Sequence, residues 1–412
     1  MSRDDGTHAE SCDSSQQRPA WAEIDLDALV HNFRFLRRRV GEAGILAVLK
    51  ADAYGHGAAE VARALEREGA DWLGVALEEE GAELRQAGAR LPILVLGVLE
   101  PAQIPSLLRH RLTPAVSSLE QLAMWAAAAQ SRDGDGATLI HLKVDTGMHR
   151  LGLSQGEWAR AAEILASSPR LHLTGLLSHL AEAEDLSSGR TPEQEALFTD
   201  ALALFSPLAS PEGLVVHSAN SAAALHHPAS RHSLVRCGLG LYGVDPAGVE
   251  AGLRGVMRVR ARIVELREVE EGDAVGYGGK WVAPCRSRLG VVALGYADGY
   301  PWRLCGRGYA RFLNQRLAVV GAINMDMLML DLTGSSAGAG SEVCLLGSDT
   351  EEGPTASELA AMAGTVPYEL LCHFGLRLPR RYLGAGRKGT PGSRTQPSRA
   401  TAEENADQRE SS

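Results

Sequence analysis

Ile45-Leu-Ala-Val-Leu-Lys-Ala-Asp-Ala-Tyr-Gly-His-Gly57 is the stretch on which the fold turns. Its first five residues are apolar without alternation, the pattern of a parallel strand covered on both faces. The run stops at Lys50 and breaks into a loop closed by Gly55 and Gly57, after which Ala58 to Leu65 reads as a helix. Strand, lysine, loop and helix come in the order that parallel α/β folds use for chemistry, because the carboxyl ends of their strands face the site. A single lysine at a strand end is more often a salt-bridged surface group. The reading therefore depends on what else falls at equivalent places.

Working outward, apolar runs near 45–50, 72–76, 93–98, 112–116, 138–144, 172–178, 214–217 and 234–236 read as strands. Helical patterns lie between them, among them Glu78–Ala87, Ser118–Ala129, Gln155–Ser167 and Thr191–Phe205. Eight such steps predict an α/β fold, an N-terminal (β/α)8 TIM-type barrel over residues 19–248, in preference to a doubly wound sheet. Before it, Trp21–Leu26 alternates as a half-exposed strand does. Asp27 is the expected N-cap of a helix with Leu29, Phe33, Leu36 and Val40 on one face.

After Gly248 the texture changes. Val256–Leu266 follows period two, and short β-like runs follow at Leu289–Leu294, Leu317–Val320, Met327–Leu332 and Glu342–Leu346, interrupted by one helix, Ala356–Ala363. This predicts a second, mainly β domain over residues 249–385. Trp21–Leu26 could join either domain. Residues 1–18 and 386–412 are polar and expected to be disordered.

Among 412 residues, 41 basic against 51 acidic side chains leave a net charge of −10, which gives no support to a nucleic-acid or membrane-surface role. The N-terminal stretch has no apolar core of a signal peptide, and no run approaches membrane-spanning length. Six scattered cysteines without CxxC pairing read as reduced thiols of a cytoplasmic protein, not as a disulfide or zinc framework.

Unusual polar residues collect at the strand ends. Lys50 ends the first strand, Lys143 and Asp145 the fifth, His179 the sixth, His217-Ser-Ala-Asn-Ser221 the seventh and Arg236-Cys-Gly-Leu239 the eighth. All fall on the C-terminal face, where barrel enzymes place their sites, and the last two loops hold the usual phosphate position. Ser221 and the backbone at Gly238 and Leu239 suit a phosphate cradled by N–H groups.

The lysine segment resembles the cofactor motif of the alanine racemase family, which is dependent on pyridoxal phosphate (fold type III). Val144-Asp-Thr-Gly-Met-His-Arg-Leu-Gly152, Leu177-Ser-His-Leu-Ala181, His217–Ser221 and Val235-Arg-Cys-Gly238 resemble further blocks in the family's order. So do Val275-Gly-Tyr-Gly278, Gly295-Tyr-Ala-Asp-Gly299, Asn324-Met-Asp-Met327 and Val366-Pro-Tyr-Glu369. The resemblance covers residues 21 to 383. It implies a barrel followed by a β domain, and a homodimer in which each site is completed by the partner's β domain.

By that resemblance Lys50 carries the cofactor as an imine and serves as base on one face of the substrate Cα. Tyr277 of the other subunit serves the opposite face, since racemisation must remove a proton from one side and return it to the other. A desolvated lysine shifts down readily, while a phenol acting as base needs a nearby cation. Arg150 lies near the cofactor phenolic oxygen and the substrate carboxylate, and Lys143 matches a lysine carbamylated in many members. Arg236 faces the pyridine nitrogen; a guanidinium only donates, so the nitrogen stays unprotonated. His179 braces Arg236. Tyr54, Ser221, Gly238, Leu239 and Tyr368 hold the phosphate, and Met325, beside Asp326, meets the substrate carboxylate across the dimer. Tyr296 is either a residue of the site entrance or a core tyrosine of the β domain, and His56 and His217 are supporting or packing residues.

Departures from the family pattern are Asp52 for Asn, His149 for Gly and Asn324 for Cys or Ser. The resemblance implies interconversion of L- and D-alanine, supplying D-alanine for peptidoglycan. A related racemase of serine or lysine is the alternative within that mechanism. A decarboxylase of similar architecture would carry an acid in place of Arg236, and single-barrel cofactor-binding proteins lack the second domain.

Overall fold

The strands of the barrel pair in parallel with a register that brings their carboxyl ends to one rim. The computed structural model describes residues 18–131, 136–249 and 252–384. Eight strands form the barrel sheet: Gly44–Val48, Trp72–Val75, Ile93–Val95, Leu112–Val116, Thr138–Lys143, Leu171–Leu177, Val215–His217 and Leu234–Cys237. Each pairs with the next in sequence up to the seventh, and the eighth returns to pair with the first. Between the seventh and eighth, single bonds stand in for a ladder, Ser233 N to Val216 O at 3.2 Å and Arg236 N to Ala219 O at 2.9 Å. All eight expected strands are present, and the helices between them bury the faces their periodicity marks. In the helix Leu26–Val40, for example, Leu29, Phe33, Leu36 and Val40 are all buried.

The N-cap of that helix differs from expectation. Asp25, not Asp27, accepts from Ala28 N at 2.9 Å, and Asp27 falls in the first turn, where a carboxylate suits the helix N-terminus. Both positions carry Asp, and only the φ/ψ break at Asp25 separates them.

The strand Ala20–Asp25 joins the second domain. It pairs antiparallel with Met257–Val269 and parallel with Arg380–Leu383. Met257–Val269 is the spine of this domain: its first half pairs with Glu342–Leu346 and its second half with Ser287–Val292, with a bulge between Ile263 and Glu265. Through Leu328–Asp331, Gln315–Val320 and Tyr309–Phe312 the ladders return to Glu342–Leu346, so six strands close a ring. Closure removes the open edges that an isolated sheet would expose. The expected helix Ala356–Ala363 is present and opens on a Thr355–Glu358 capping box. A second helix, Pro367–His373, was not foreseen, because seven residues are too few for a clear period. The expected tails lie outside the described residues apart from Arg18, which binds Asp298 and the Arg377 carbonyl.

Candidate active site

Lys50 follows the first barrel strand and opens an unusual turn. Ala51, Asp52, Ala53 and Tyr54 all have φ between 52° and 55°, a left-handed turn built without glycine. Such a conformation costs L-residues about 1–2 kcal/mol each, so its surroundings must enforce it. Glu80 Oε1 accepts from Ala51 N at 2.6 Å, its Oε2 from Ala76 N at 2.8 Å, and Asp52 Oδ1 caps Ala58 N at 2.8 Å. From the β domain, Arg380 donates to Gly55 O at 2.8 Å. The turn is thus tied to the helix that carries Glu80, to the helix that begins at Ala58, and to the second domain. Lys50 is exposed in the single chain, yet enough protein surrounds its amine that burial lowers its pKa, with Arg150 adding and Cys372 and Glu80 opposing.

Arg236, 4% exposed, lies under the rim. Its Nη1 donates to His217 O at 2.7 Å and to His217 Nδ1 at 3.1 Å. Its Nη2 donates to Ser178 O at 2.7 Å, Ser218 O at 2.9 Å and His179 Nδ1 at 3.0 Å. Among the described residues, only its Nε–H is left without a protein acceptor, and no carboxylate touches it. Burial pulls the guanidinium down to about 10, opposed by Cys237 and by Glu195, which stands behind Ser218. Lys143 is also buried; burial, Arg236 and Arg150 bring its amine to about 8. Asp145 does not neutralise this group. Its Oδ1 accepts from Gly147, Met148 and His149 N at 3.0–3.1 Å and its Oδ2 meets His149 Nδ1 at 3.0 Å, folding the loop that carries Arg150. His149 has φ 57°, a conformation that glycine adopts at lower cost. The side chains of Lys50, Lys143 and Arg150 have no hydrogen-bond partner among the described residues. Four cations face one another with little to balance them, an arrangement that calls for an anion.

An anion cradle lies beside them. Ser221 Oγ accepts from Gly238 N at 2.9 Å and Gly240 N at 3.2 Å, and Asn220 caps the helix that Ser221 begins. A Cβ at Gly238 would come within 2.6 Å of the Tyr54 hydroxyl, so only glycine lets that phenol approach the two N–H groups. Tyr54 packs on Tyr242 at 5.0 Å and on Tyr368 of the β domain at 6.2 Å, and Leu239 is buried beneath. His56 is a packing residue: fully buried and stacked on Tyr242 at 4.4 Å, its Nδ1 meets the carbonyls of Ala53 and Tyr54.

The remaining two sequence-predicted residues are elsewhere. Tyr277, 77% exposed, follows the short strand Ala274–Val275 and shares a cleft of about 480 Å³ with Met325. Every lining residue comes from the β domain, including Tyr296, Lys280 and Trp302. Tyr296 is therefore a cleft residue, and the core tyrosine is Tyr300, which is fully buried. Tyr296 N donates to Asn324 O and Ala297 N to Met325 O, both at 3.0 Å, and Asp326 pairs with Arg377 at 2.6 Å. One chain thus holds two separate candidate regions, a cationic barrel rim and an aromatic cleft.

Sequence reasoning missed Glu80 and His141. Glu80 carried only the mark of a capping residue. His141, two positions before Lys143 in a strand and so on its face, was a signal available from period two.

Family models for the alanine racemase N-terminal and C-terminal domains match residues 24–246 and 256–382. A curated alanine racemase of Synechocystis is 41% identical over 88% of this chain and 98% of its own length. The alanine racemase of Streptomyces coelicolor, of known structure, superposes with TM-score 0.85 at 35% identity, covering 90% of this chain and all of that one. That of Bartonella henselae, solved with covalently bound pyridoxal phosphate, gives TM-score 0.81 at 30% identity, covering 89% and 99%.

Proposed function

The chain belongs to the alanine racemase family, and on that premise we propose that it interconverts L- and D-alanine with pyridoxal phosphate by a two-base mechanism. The residues present suit the cofactor. Lys50 would hold it covalently, and Ser221, whose Oγ gathers the N–H groups of Gly238 and Gly240, would take its phosphate with Gly238, Tyr54, Leu239 and Tyr368. The free Nε–H of Arg236 suits the ring nitrogen, with His179 bracing the guanidinium. When bound, the cofactor acidifies the Cα–H of the amino acid by drawing its electrons toward the ring.

The chain supplies proton transfer and charge. Lys50 Nζ takes or gives a proton on one face of Cα, and burial favours the neutral form that a base requires. Tyr277 Oη of a second subunit acts on the other face; its exposure in a cleft of β-domain residues alone supports completion of the site by another copy. Arg150, free of carboxylates, would bind the substrate carboxylate, and Met325 would meet it from across the dimer. Arg236 remains a donor, so the ring nitrogen is not protonated, which limits side reactions. Lys143, with its amine lowered to about 8, is suited to carbamylation. Once the ammonium has lost a proton, a bond from neutral Nζ to carbon dioxide forms and a second proton leaves, so that an anion replaces a cation beside Arg150.

We assign the enzyme to the cytoplasm and to D-alanine supply for peptidoglycan. The thiols of Cys237, Cys285, Cys305, Cys344 and Cys372 are all free, and no helix among the described residues is long and apolar enough to cross a membrane. The observation that carries the reading is Arg236, a buried guanidinium with no carboxylate and one donor to spare. A decarboxylase would need an acid there.

The test is a chiral assay of the purified protein with pyridoxal phosphate, offering L-alanine, L-serine, L-lysine and L-glutamate separately. Dominant D-alanine is the expected product. Another D-amino acid would keep the mechanism and change the substrate, and absence of any D-product in cofactor-loaded protein would refute it.

A further inference from the structure

Behind Arg236 the barrel interior holds a second histidine that the chemistry above does not use. His141 is fully buried on the fifth strand, and its Nδ1 lies 2.9 Å from His217 Nε2. The slot is purpose-built. On the next strand Gly175 pairs with His141, and a Cβ there would lie 2.4 Å from the nearest atoms of the imidazole ring, far inside van der Waals contact. Trp72 packs against its other side at 5.0 Å. Any larger residue at position 175 would expel the ring.

The proton positions along this line follow from one fact. Arg236 can only donate, so His217 Nδ1, 3.1 Å from its Nη1, must accept. His217 is therefore neutral with its proton on Nε2, and that proton points at His141 Nδ1. His141 must in turn be neutral with its proton on Nε2, an atom without a protein acceptor among the described residues. Burial and the neighbouring guanidinium hold both imidazoles far below the ordinary histidine range, so neither competes as a cation. Each member leaves the next a single arrangement.

We propose that His141 is a positioning residue for Arg236: through His217 it fixes the guanidinium as a donor aimed at the cofactor ring nitrogen. The inference rests on the placing of Arg236 at that nitrogen. Without the acceptor at His141 the His217 ring is free to turn, and one of the bonds that orient Nη1 weakens. The Nε–H then loses its aim, as happens when the partners that orient a ligating side chain are removed.

Two variants separate this from packing. His141→Leu fills the slot but removes the acceptor, whereas His141→Asn sets its Oδ1 close to where Nδ1 stood. In the cofactor-loaded protein, His141→Leu should lower kcat about tenfold while KM for alanine stays within about twofold. It should also shift the visible absorbance of the bound cofactor and speed its loss through abortive transamination. His141→Asn should restore most of each. Nitrogen NMR of 15N-histidine-labelled protein should show His217 and His141 both protonated on Nε2, with His217→Gln identifying the signals. The proposal falls if His141→Leu matches the wild type in rate and absorbance, if His141→Asn is as impaired as His141→Leu, or if His217 carries its proton on Nδ1. Arg236→Gln tests the underlying placement separately. Wild-type absorbance and rate in that variant would remove Arg236 from the ring nitrogen, whereas a changed spectrum there with an unchanged His141→Leu would sink only the role of His141.

Discussion

Lys50 and Arg236 owe their chemistry to opposite circumstances. Lys50 sits where burial and Arg150 destabilise its charge, which suits the proposed role of an amine that bonds to a carbonyl carbon and later accepts a proton. Arg236 is surrounded by neutral acceptors at both Nη atoms, with its Nε–H left over. Removing the first should erase the covalent link: Lys50→Ala protein, purified with pyridoxal phosphate, should lack the visible absorbance of a lysine imine. Persistence of that band would mean that another residue carries the cofactor. At this scale much was legible in the sequence, because a lysine or arginine ending an apolar strand is conspicuous. His141 and Glu80 were less so, since what they do depends on neighbours distant in sequence.

Among the elements, the left-handed turn Ala51–Tyr54 stands out. Four L-residues with positive φ cannot be stable alone; Glu80, Arg380 and the bond from Ala58 N to Asp52 hold them in place. Ala51 is solvent-exposed, so a substitution there tests the backbone and not packing. Ala51→Val, β-branched at positive φ, should cost about 1–2 kcal/mol in denaturant unfolding and loosen cofactor retention, while Ala51→Gly should be near neutral. Equal stability of the two variants would show that the turn is not strained. The sequence suggested only a loop here, because two alanines, an aspartate and a tyrosine give no local instruction for a left-handed turn. The missed helix Pro367–His373 is a similar case, fixed by docking of its Leu370 and Leu371 into the core.

For the whole molecule, the separation of barrel rim and aromatic cleft makes the arrangement of subunits the central question. If each site takes Lys50 from one chain and Tyr277 from another, Lys50→Ala and Tyr277→Phe proteins should each be inactive or badly impaired. After unfolding and refolding together, half of the dimers would be mixed, each with one intact site, and activity should return to about a quarter of the wild-type value. No recovery would argue for sites built within one chain. Acid stability is a second property of the whole. Burial lowers the folded-state pKa of His56 from 6.5 to about 4 and that of His141 from 6.5 to about 3. Between those values and 6.5 the unfolded chain binds more protons, so this stability is fully present above pH 6.5 and is lost as pH falls toward 4 and then 3. The melting temperature should drop across that window, less steeply in His56→Phe, and equal slopes would show that His56 is not buried neutral.

The sequence by itself determined the architecture and named the candidate site residues. Uninterrupted apolar runs require parallel strands covered on both faces, period two after Gly248 requires a β domain, and strand ends mark where polar residues must gather. Tertiary structure decided what long-range contacts decide. It assigned Ala20–Asp25 to the second domain through its two ladders, because a half-exposed strand fits either sheet until it is paired. It placed Lys50 and Tyr277 in separate regions of the chain, and it brought His217 and His141 within 2.9 Å of each other. A residue's type fixes what it can donate or accept, and only the neighbours that folding brings to it fix which of those it does.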